Sequence, residues 1–208
     1  LSTAHQFLLS GNVKTALVVG ADQISSFLDW KDRSTCVLFG DAGAAVVLKE
    51  VKGRGIIGCS LGSDGEYAEL LKIPGGGSKQ RTSAATIAAG DHFLKMNGAE
   101  VFKLAVRGMV QSIATVLEKT GTRVEDVACV VPHQANMRII DAVADRLKVD
   151  RSKIYVNLDR YGNTSAASVA VGLSEAVEQK VIQKGDLVLL TTFGAGLVWG
   201  SALLEWGI

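Results

Sequence analysis

Proline is nearly absent from this sequence, two residues in 208, and its cysteines number only three. With so little proline beside 23 glycines, the chain suits tightly turned strands and close backbone packing more than flexible linkers. Cys36, Cys59 and Cys129 are widely spaced, form no C-x-x-C pair and lie in apolar stretches. That argues against a disulfide framework and for buried free thiols in a reducing compartment. No spacing of ligating residues fits a metal site, and none is expected. Excess charge of one sign is missing too. A formal net charge of +1 removes any bulk electrostatic case for nucleic acid or an anionic membrane. No apolar run reaches membrane-spanning length, and the opening residues lack the pattern of a secretory signal. The expected location is the cytoplasm, or the plastid stroma in a plant or alga.

What remains, 48% hydrophobic and 21% charged residues, is the composition of a compact protein with a real core, in one or two domains. Leu1 to Ser10 reads as an amphipathic helix without an initiator Met or a cap, so the chain is expected to be a piece of a longer protein. Gly11-Asn12 ends that helix, and Thr15 to Val19 follows as a strand. Ile24 to Arg33 reads as a loop carrying Trp30. Cys36 to Phe39, Ala44 to Val51 and Gly55 to Leu61 read as strands, and Gly75 to Ser83 as an irregular stretch. Ala99 to Lys119 has the stripe of a long helix, through Val101, Phe102, Ala105, Met109, Ile113, Val116 and Leu117. Lys153 to Val156 reads as a short strand, Gly162 to about Gln183 as a turn and a helix, and Leu187 to Thr192 and Leu197 to Glu205 as strands.

Two stretches carry chemistry. Val127 to Val131 is a strand-like apolar run, and Pro132, with no N–H, cannot extend its ladder. His133 therefore falls at the strand's end, where α/β folds place their reactive groups. Asn136 can cap the following helix, whose Met137, Ile139, Ile140, Val143 and Leu147 recur at helical spacing. The second stretch is Gly162-Asn-Thr-Ser-Ala-Ala-Ser168. Taken singly, each has an ordinary structural explanation: His133 as a core histidine, Asn163 as a turn residue or helix cap. An internal echo accompanies them. Helix, glycine and two strands recur at the front and the back, with Gly43-Ala-Ala-Val-Val-Leu-Lys-Glu50 answering Gly200-Ser-Ala-Leu-Leu-Glu205.

Val131-Pro-His-Gln-Ala-Asn-Met-Arg-Ile-Ile140, Leu158-Asp-Arg-Tyr-Gly-Asn-Thr-Ser-Ala-Ala-Ser168 and Phe193-Gly-Ala-Gly-Leu-Val-Trp-Gly-Ser201, in this order and spacing, closely resemble β-ketoacyl-acyl carrier protein synthase III. The resemblance implies an α/β, thiolase-like fold of duplicated halves in alternating layers. Residues 1–60 would then be the end of the first half and 61–208 the second. It also implies an acyltransferase of fatty-acid synthesis, usually a homodimer. Such an enzyme moves an acyl group from acyl-coenzyme A to a cysteine, then condenses it with malonyl-acyl carrier protein. Both thioesters are substrates, and no cofactor is implied. By the same resemblance His133 and Asn163 are catalytic and donate N–H to the enolate left by decarboxylation. Backbone amides of Gly194, Ala195 and Gly196 would form an oxyanion hole, and Arg33 would bind coenzyme A. Arg138, extended by Lys103 and Arg146, would dock the acidic carrier protein, although Asp145 departs from that basic pattern. His5 and His92 have no motif around them. The family's nucleophilic cysteine sits at a helix start, and none of these three cysteines stands in such a motif. Acyl transfer by these 208 residues alone is therefore not expected.

Other readings compete. Gly58-Cys-Ser-Leu-Gly62 fits the nucleophile elbow of serine hydrolases, though Ser63-Asp-Gly65 stands where a helix should begin. Gly194-x-Gly196-x-x-x-Gly200 is mis-spaced for a dinucleotide fingerprint. A non-catalytic carrier- or coenzyme A-binding piece, and a condensing enzyme of polyketide or alkylquinolone synthesis, remain as alternatives.

Overall fold

A computed structural model describes residues 1–207 apart from residues 52 and 54. Its centre is a four-stranded sheet in the order β3 (Gly55–Ser63), β8 (Val198–Glu205), β7 (Leu187–Gly194), β6 (Cys129–Pro132). β6 runs parallel to β7, and the other pairs are antiparallel. Successive side chains of a strand face opposite ways, so each strand feeds two cores. Val130, Leu189, Phe193 and Leu203 pack with Val101, Met109, Ile113 and Val116 of α3 (Gly98–Thr120), joined by Ile139 and Val143 of α4 (Met137–Leu147). Cys129, Val131, Val188, Leu190, Ala202 and Leu204 pack with Leu173 and Ala176 of α6 (Ser168–Glu178).

α3 is bounded by ordinary capping chemistry. Asn97 Oδ1 accepts from the Glu100 amide at 3.3 Å, and Gly121 closes the helix in the left-handed region. A separate antiparallel pair, β1 (Thr15–Asp22) with β2 (Ala42–Lys49), follows α1 (Ser2–Leu9). Leu1 and Val46 pack on the core that α6 shares with the sheet. α6 therefore lies between two layers of strands. The sequence echo takes structural form: α1–β1–β2 and α6–β7–β8 are each a helix followed by two paired eight-residue antiparallel strands. The remaining pieces are a ribbon of β4 (Leu71–Lys72) and β5 (Lys95–Met96), with α2 (Ala84–Ala88) between them, and α5 (Leu158–Tyr161).

Several sequence expectations are corrected. Cys36 to Phe39 is a turn ending in a single bridge from Phe39 to Asn163, not a strand. Lys153 to Val156 likewise gives one bridge, Ile154 to Val130, after a 3-10 turn over Arg151–Lys153. The helix after Gly162 ends at Glu178, short of Gln183. The elbow at Ser60 is absent, because β3 continues through it and Ser60 pairs with Ser201 of β8 within the ladder. A division after residue 60 passes through β3, which pairs with β8 along its length. Of the cysteines only Cys129 is buried, while Cys36 and Cys59 are partly exposed, and all three are free thiols.

Candidate active site

His133 stands at the carboxyl end of β6. Pro132 closes the parallel ladder opposite Thr191, and the next donor is the His133 amide, 2.7 Å from the Thr191 carbonyl oxygen. Counting on from Cys129 and Val131, the imidazole falls on the α6 side of the sheet. There its Nδ1 lies 2.5 Å from Ser168 Oγ, at the first residue of α6. The ring is 8% exposed, and burial pushes its pKa down to about 4, so at neutral pH it carries no charge. Gln134 anchors the corner. Its Nε2 donates to the carbonyls of Pro132 (2.9 Å) and Tyr155 (3.2 Å), and its Oε1 accepts from the Asn157 amide (3.1 Å). Asn136 caps α4, accepting from the Arg138 amide at 2.9 Å.

Asn163 is set by a loop with little freedom. α5 ends at Gly162, whose φ of 66° and ψ of −160° suit glycine alone. The Asn163 amide donates to the Leu38 carbonyl and its carbonyl accepts from the Gly40 amide, both at 2.9 Å. Asn163 Oδ1 accepts from the Ser165 amide at 2.9 Å, which turns Nδ2 the other way. Among the described residues neither Asn163 Nδ2 nor His133 Nε2 has a hydrogen-bond partner. Ser165 holds a φ of 50°, rare for a residue with a side chain, and the Ala166 amide donates to Asp22 Oδ2 at 3.0 Å. The loop is thus clamped from the front of the chain by Leu38, Gly40 and Asp22, while Ser168 at its far end touches His133.

Behind the loop, Glu175 of α6 accepts from Asn157 Nδ2 (2.8 Å), Tyr161 OH (2.6 Å), Tyr155 OH (3.2 Å) and both terminal nitrogens of Arg160. Burial pushes its carboxyl pKa up, but these donors outweigh that and hold it below the usual range. Sequence reading assigned no role to Ser168, Gln134, Glu175 or Asp22. The alternation 129, 131, 133 was a signal that His133 needed a partner on the covering helix.

The other expected residues fall as follows. Gly194 ends β7 and Ala195 and Gly196 stand in the turn that follows, three to five residues beyond Thr191 and so at the same end of the sheet as His133. Leu197, next to it, is fixed by exchanged backbone bonds with Asp64. Arg33 is exposed on the turn after Trp30, itself 68% exposed. Arg138 is exposed and lies over the Phe102 ring at 5.4 Å, which brings it beside the start of α3. Lys103 is exposed there and pairs with Glu100 at 2.7 Å, with Arg107 one turn further on. Arg146 is exposed in the last turn of α4. Asp145, which breaks the basic pattern, is paired with Arg151 at 3.0 Å. Cys129 shares the His133 face of β6, but burial, helped by the charge of Asp186, pushes its thiol up to about 11. Burial also raises the pKa of Cys59. Neither is a thiolate at neutral pH.

Duplicated helix–strand–strand units, and a His at a strand end tied through Ser168 to the clamped loop that carries Asn163, define an α/β protein of the thiolase-like fold. The family model for 3-oxoacyl-[acyl-carrier-protein (ACP)] synthase III matches residues 1–65, and that for its C-terminal part matches residues 117–206. The chain is 48% identical over 207 residues to a β-ketoacyl-[acyl-carrier-protein] synthase III of Desulfitobacterium hafniense, covering 99% of this chain and 62% of that protein. Among solved structures, the Aquifex aeolicus 3-oxoacyl-[acyl-carrier-protein] synthase III superposes with a TM-score of 0.87 at 41% identity, over 99% of this chain and 62% of the other. The priming β-ketosynthase of the R1128 polyketide pathway gives 0.88 at 33% identity, over 99% and 61%. The chain belongs to the β-ketoacyl-[acyl-carrier-protein] synthase III family and spans about 62% of the length of the curated relatives it matches.

Proposed function

We propose that this chain supplies the decarboxylating half of an enzyme that condenses an acyl-coenzyme A primer with malonyl-acyl carrier protein. The observation that carries the reading is the pair of polar side chains tied at one end only. Nδ1 of His133 and Oδ1 of Asn163 are engaged within the fold, and Nε2 and Nδ2 are left for a ligand. Loss of carbon dioxide leaves the carbon–carboxylate electron pair on the malonyl thioester as an enolate, with negative charge on its oxygen. Two uncharged N–H donors, already oriented by the fold and open to an incoming ligand, stabilise that charge where it develops. The enolate carbon then attacks the acyl thioester on the enzyme, forming the new carbon–carbon bond and expelling the cysteine sulfur. The amides around Gly194–Gly196, at the same end of the sheet, suit the oxyanion of that second step.

The acyl-carrying thiol is none of the three described, since Cys129 and Cys59 are held protonated and Cys36 lies on an outer turn. It is assigned to sequence outside these 208 residues, so the isolated piece should not transfer acyl groups. Arg33 is assigned to coenzyme A, and Arg138 with Lys103 and Arg146 to the acidic carrier protein. A cytoplasmic homodimer is the expected form; among the described residues no helix is long and apolar enough to cross a membrane. The likeness to the R1128 priming β-ketosynthase keeps a polyketide primer as a second reading for the acyl group. The test uses the complete protein. Replacing His133 or Asn163 by Ala should cut malonyl decarboxylation ~10²–10³-fold while leaving acylation of the cysteine nearly unchanged. Equal loss of both steps would contradict the roles of the two side chains.

A further inference from the structure

Resting on that reading, we propose that Ser168 is a positioning residue that decides which imidazole nitrogen of His133 carries the proton, placing it on Nε2. An uncharged imidazole has one N–H, so its tautomer decides whether the ring can donate to an enolate at all. Ser168 Oγ has two neighbours among the described hydrogen bonds, the backbone amide of Gln134 at 3.4 Å and His133 Nδ1 at 2.5 Å. The amide can only donate, so it fills one lone pair of the hydroxyl oxygen. The hydroxyl proton then has one acceptor, His133 Nδ1. Ser168 is 1% exposed, and water cannot take that proton instead. Were Nδ1 protonated, two donors would converge on Oγ and the buried serine proton would have nowhere to go, which costs free energy. With Nδ1 accepting, every group is satisfied and the ring proton is forced to Nε2.

The device is built by topology. Ser168 opens α6, packed on the face of β6 to which the 129, 131, 133 alternation turns the imidazole. The Gln134 amide that fixes the hydroxyl's direction is the very next residue of the corner. Ser168 also stands five residues after Asn163, so one loop sets both donors, Asn163 through the Ser165 amide and His133 through the Ser168 hydroxyl.

The experiment is two-bond proton–nitrogen NMR of the complete protein labelled with ¹⁵N-histidine, with His133 assigned from its loss in a His133→Asn variant. In the wild type Nε2 should be protonated and Nδ1 bare and hydrogen-bonded. In Ser168→Ala the Nδ1 signal should lose its hydrogen-bond shift and the two tautomers should mix. Malonyl decarboxylation should fall about ten-fold or more, short of the ~10²–10³ expected for losing the donor outright. Ser168→Thr, which keeps the hydroxyl, should restore both readouts. A wild-type proton on Nδ1 overturns the proposal. So does a Ser168→Ala spectrum unchanged from wild type, whether decarboxylation falls or not, because the serine would then act by packing alone. If decarboxylation is indifferent to His133→Ala, the functional reading fails, while the spectra still report on Ser168.

Discussion

Gly162 sits where no other residue is at ease. Its φ of 66° with ψ of −160° is costly for any side chain, and a Cβ there would lie 3.1 Å from the Leu38 carbonyl oxygen that receives the Asn163 amide. Gly162→Ala should cost about 1–3 kcal/mol of stability and disturb the Asn163 amide, so decarboxylation should fall while acylation persists. Denaturant titration and the two half-reactions measured separately would check it. His133 gives a second outcome. Its folded pKa of about 4 lies below the ordinary 6.5 because burial disfavours the imidazolium. The unfolded chain therefore binds more protons between those values, and stability should drop as pH falls from 6.5 to 4, by at most ~3 kcal/mol from this group. Replacing His133 by Gln should flatten that part of the stability–pH curve, and an unchanged slope would show that the ring is not the group responsible.

At the scale of elements, the clasp between α5 and α6 holds the loop that carries Asn163. Glu175→Ala would leave Asn157, Tyr155, Tyr161 and Arg160 without their common acceptor. Arg160 is nearly half exposed, so the ion pair contributes less than the part-buried hydrogen bonds from Asn157 and Tyr155. A loss of about 1–3 kcal/mol is expected. The Gly162 amide, which closes α5 on Leu158 at 2.8 Å, should exchange with deuterium faster than in the wild type. Exchange unchanged at Gly162 would mean that the clasp does not hold the loop. The same scale shows why two apolar runs misled. Cys36 to Phe39 and Lys153 to Val156 follow Asp32 and Asp150, whose carboxylates each accept from the amide two residues on, Ser34 and Ser152, at 2.9 Å. These Asx turns curl the chain before a strand can start, and the Asp-x-Ser pattern was there to be read. The long stripe of α3 and the capped stripe of α4 were legible because helical periodicity is local.

For the molecule as a whole, Cys129 reports on cooperativity. It lies in the core between the sheet and α6, fully buried, with its pKa pushed up to about 11. Its labelling by a thiol reagent should follow global unfolding across a denaturant series, read by mass spectrometry. Rapid labelling in native buffer would mean that α6 detaches from the sheet on its own. Because α6 starts at Ser168, such opening would also release His133.

Local chemistry was enough to set the strand that stops at Pro132, the His that follows it, the Asn136 cap and the glycine turn before Asn163. Each depends on a missing N–H, a lone pair or a φ value, and these belong to a few neighbouring residues. The alternation along β6 also held the face on which His133 would lie, a signal that the reading of the apolar run left unused. Only the folded chain decided what meets it there. Ser168 is 35 residues away, and the loop after Asn163 is held by Leu38, Gly40 and an aspartate 144 residues upstream of Ala166. β3 likewise joined the sheet of β8 rather than the β1–β2 pair beside it in sequence. Hydrogen-bond partners and burial are properties of distant segments brought together. Those two properties set the charge state and orientation of the candidate donors.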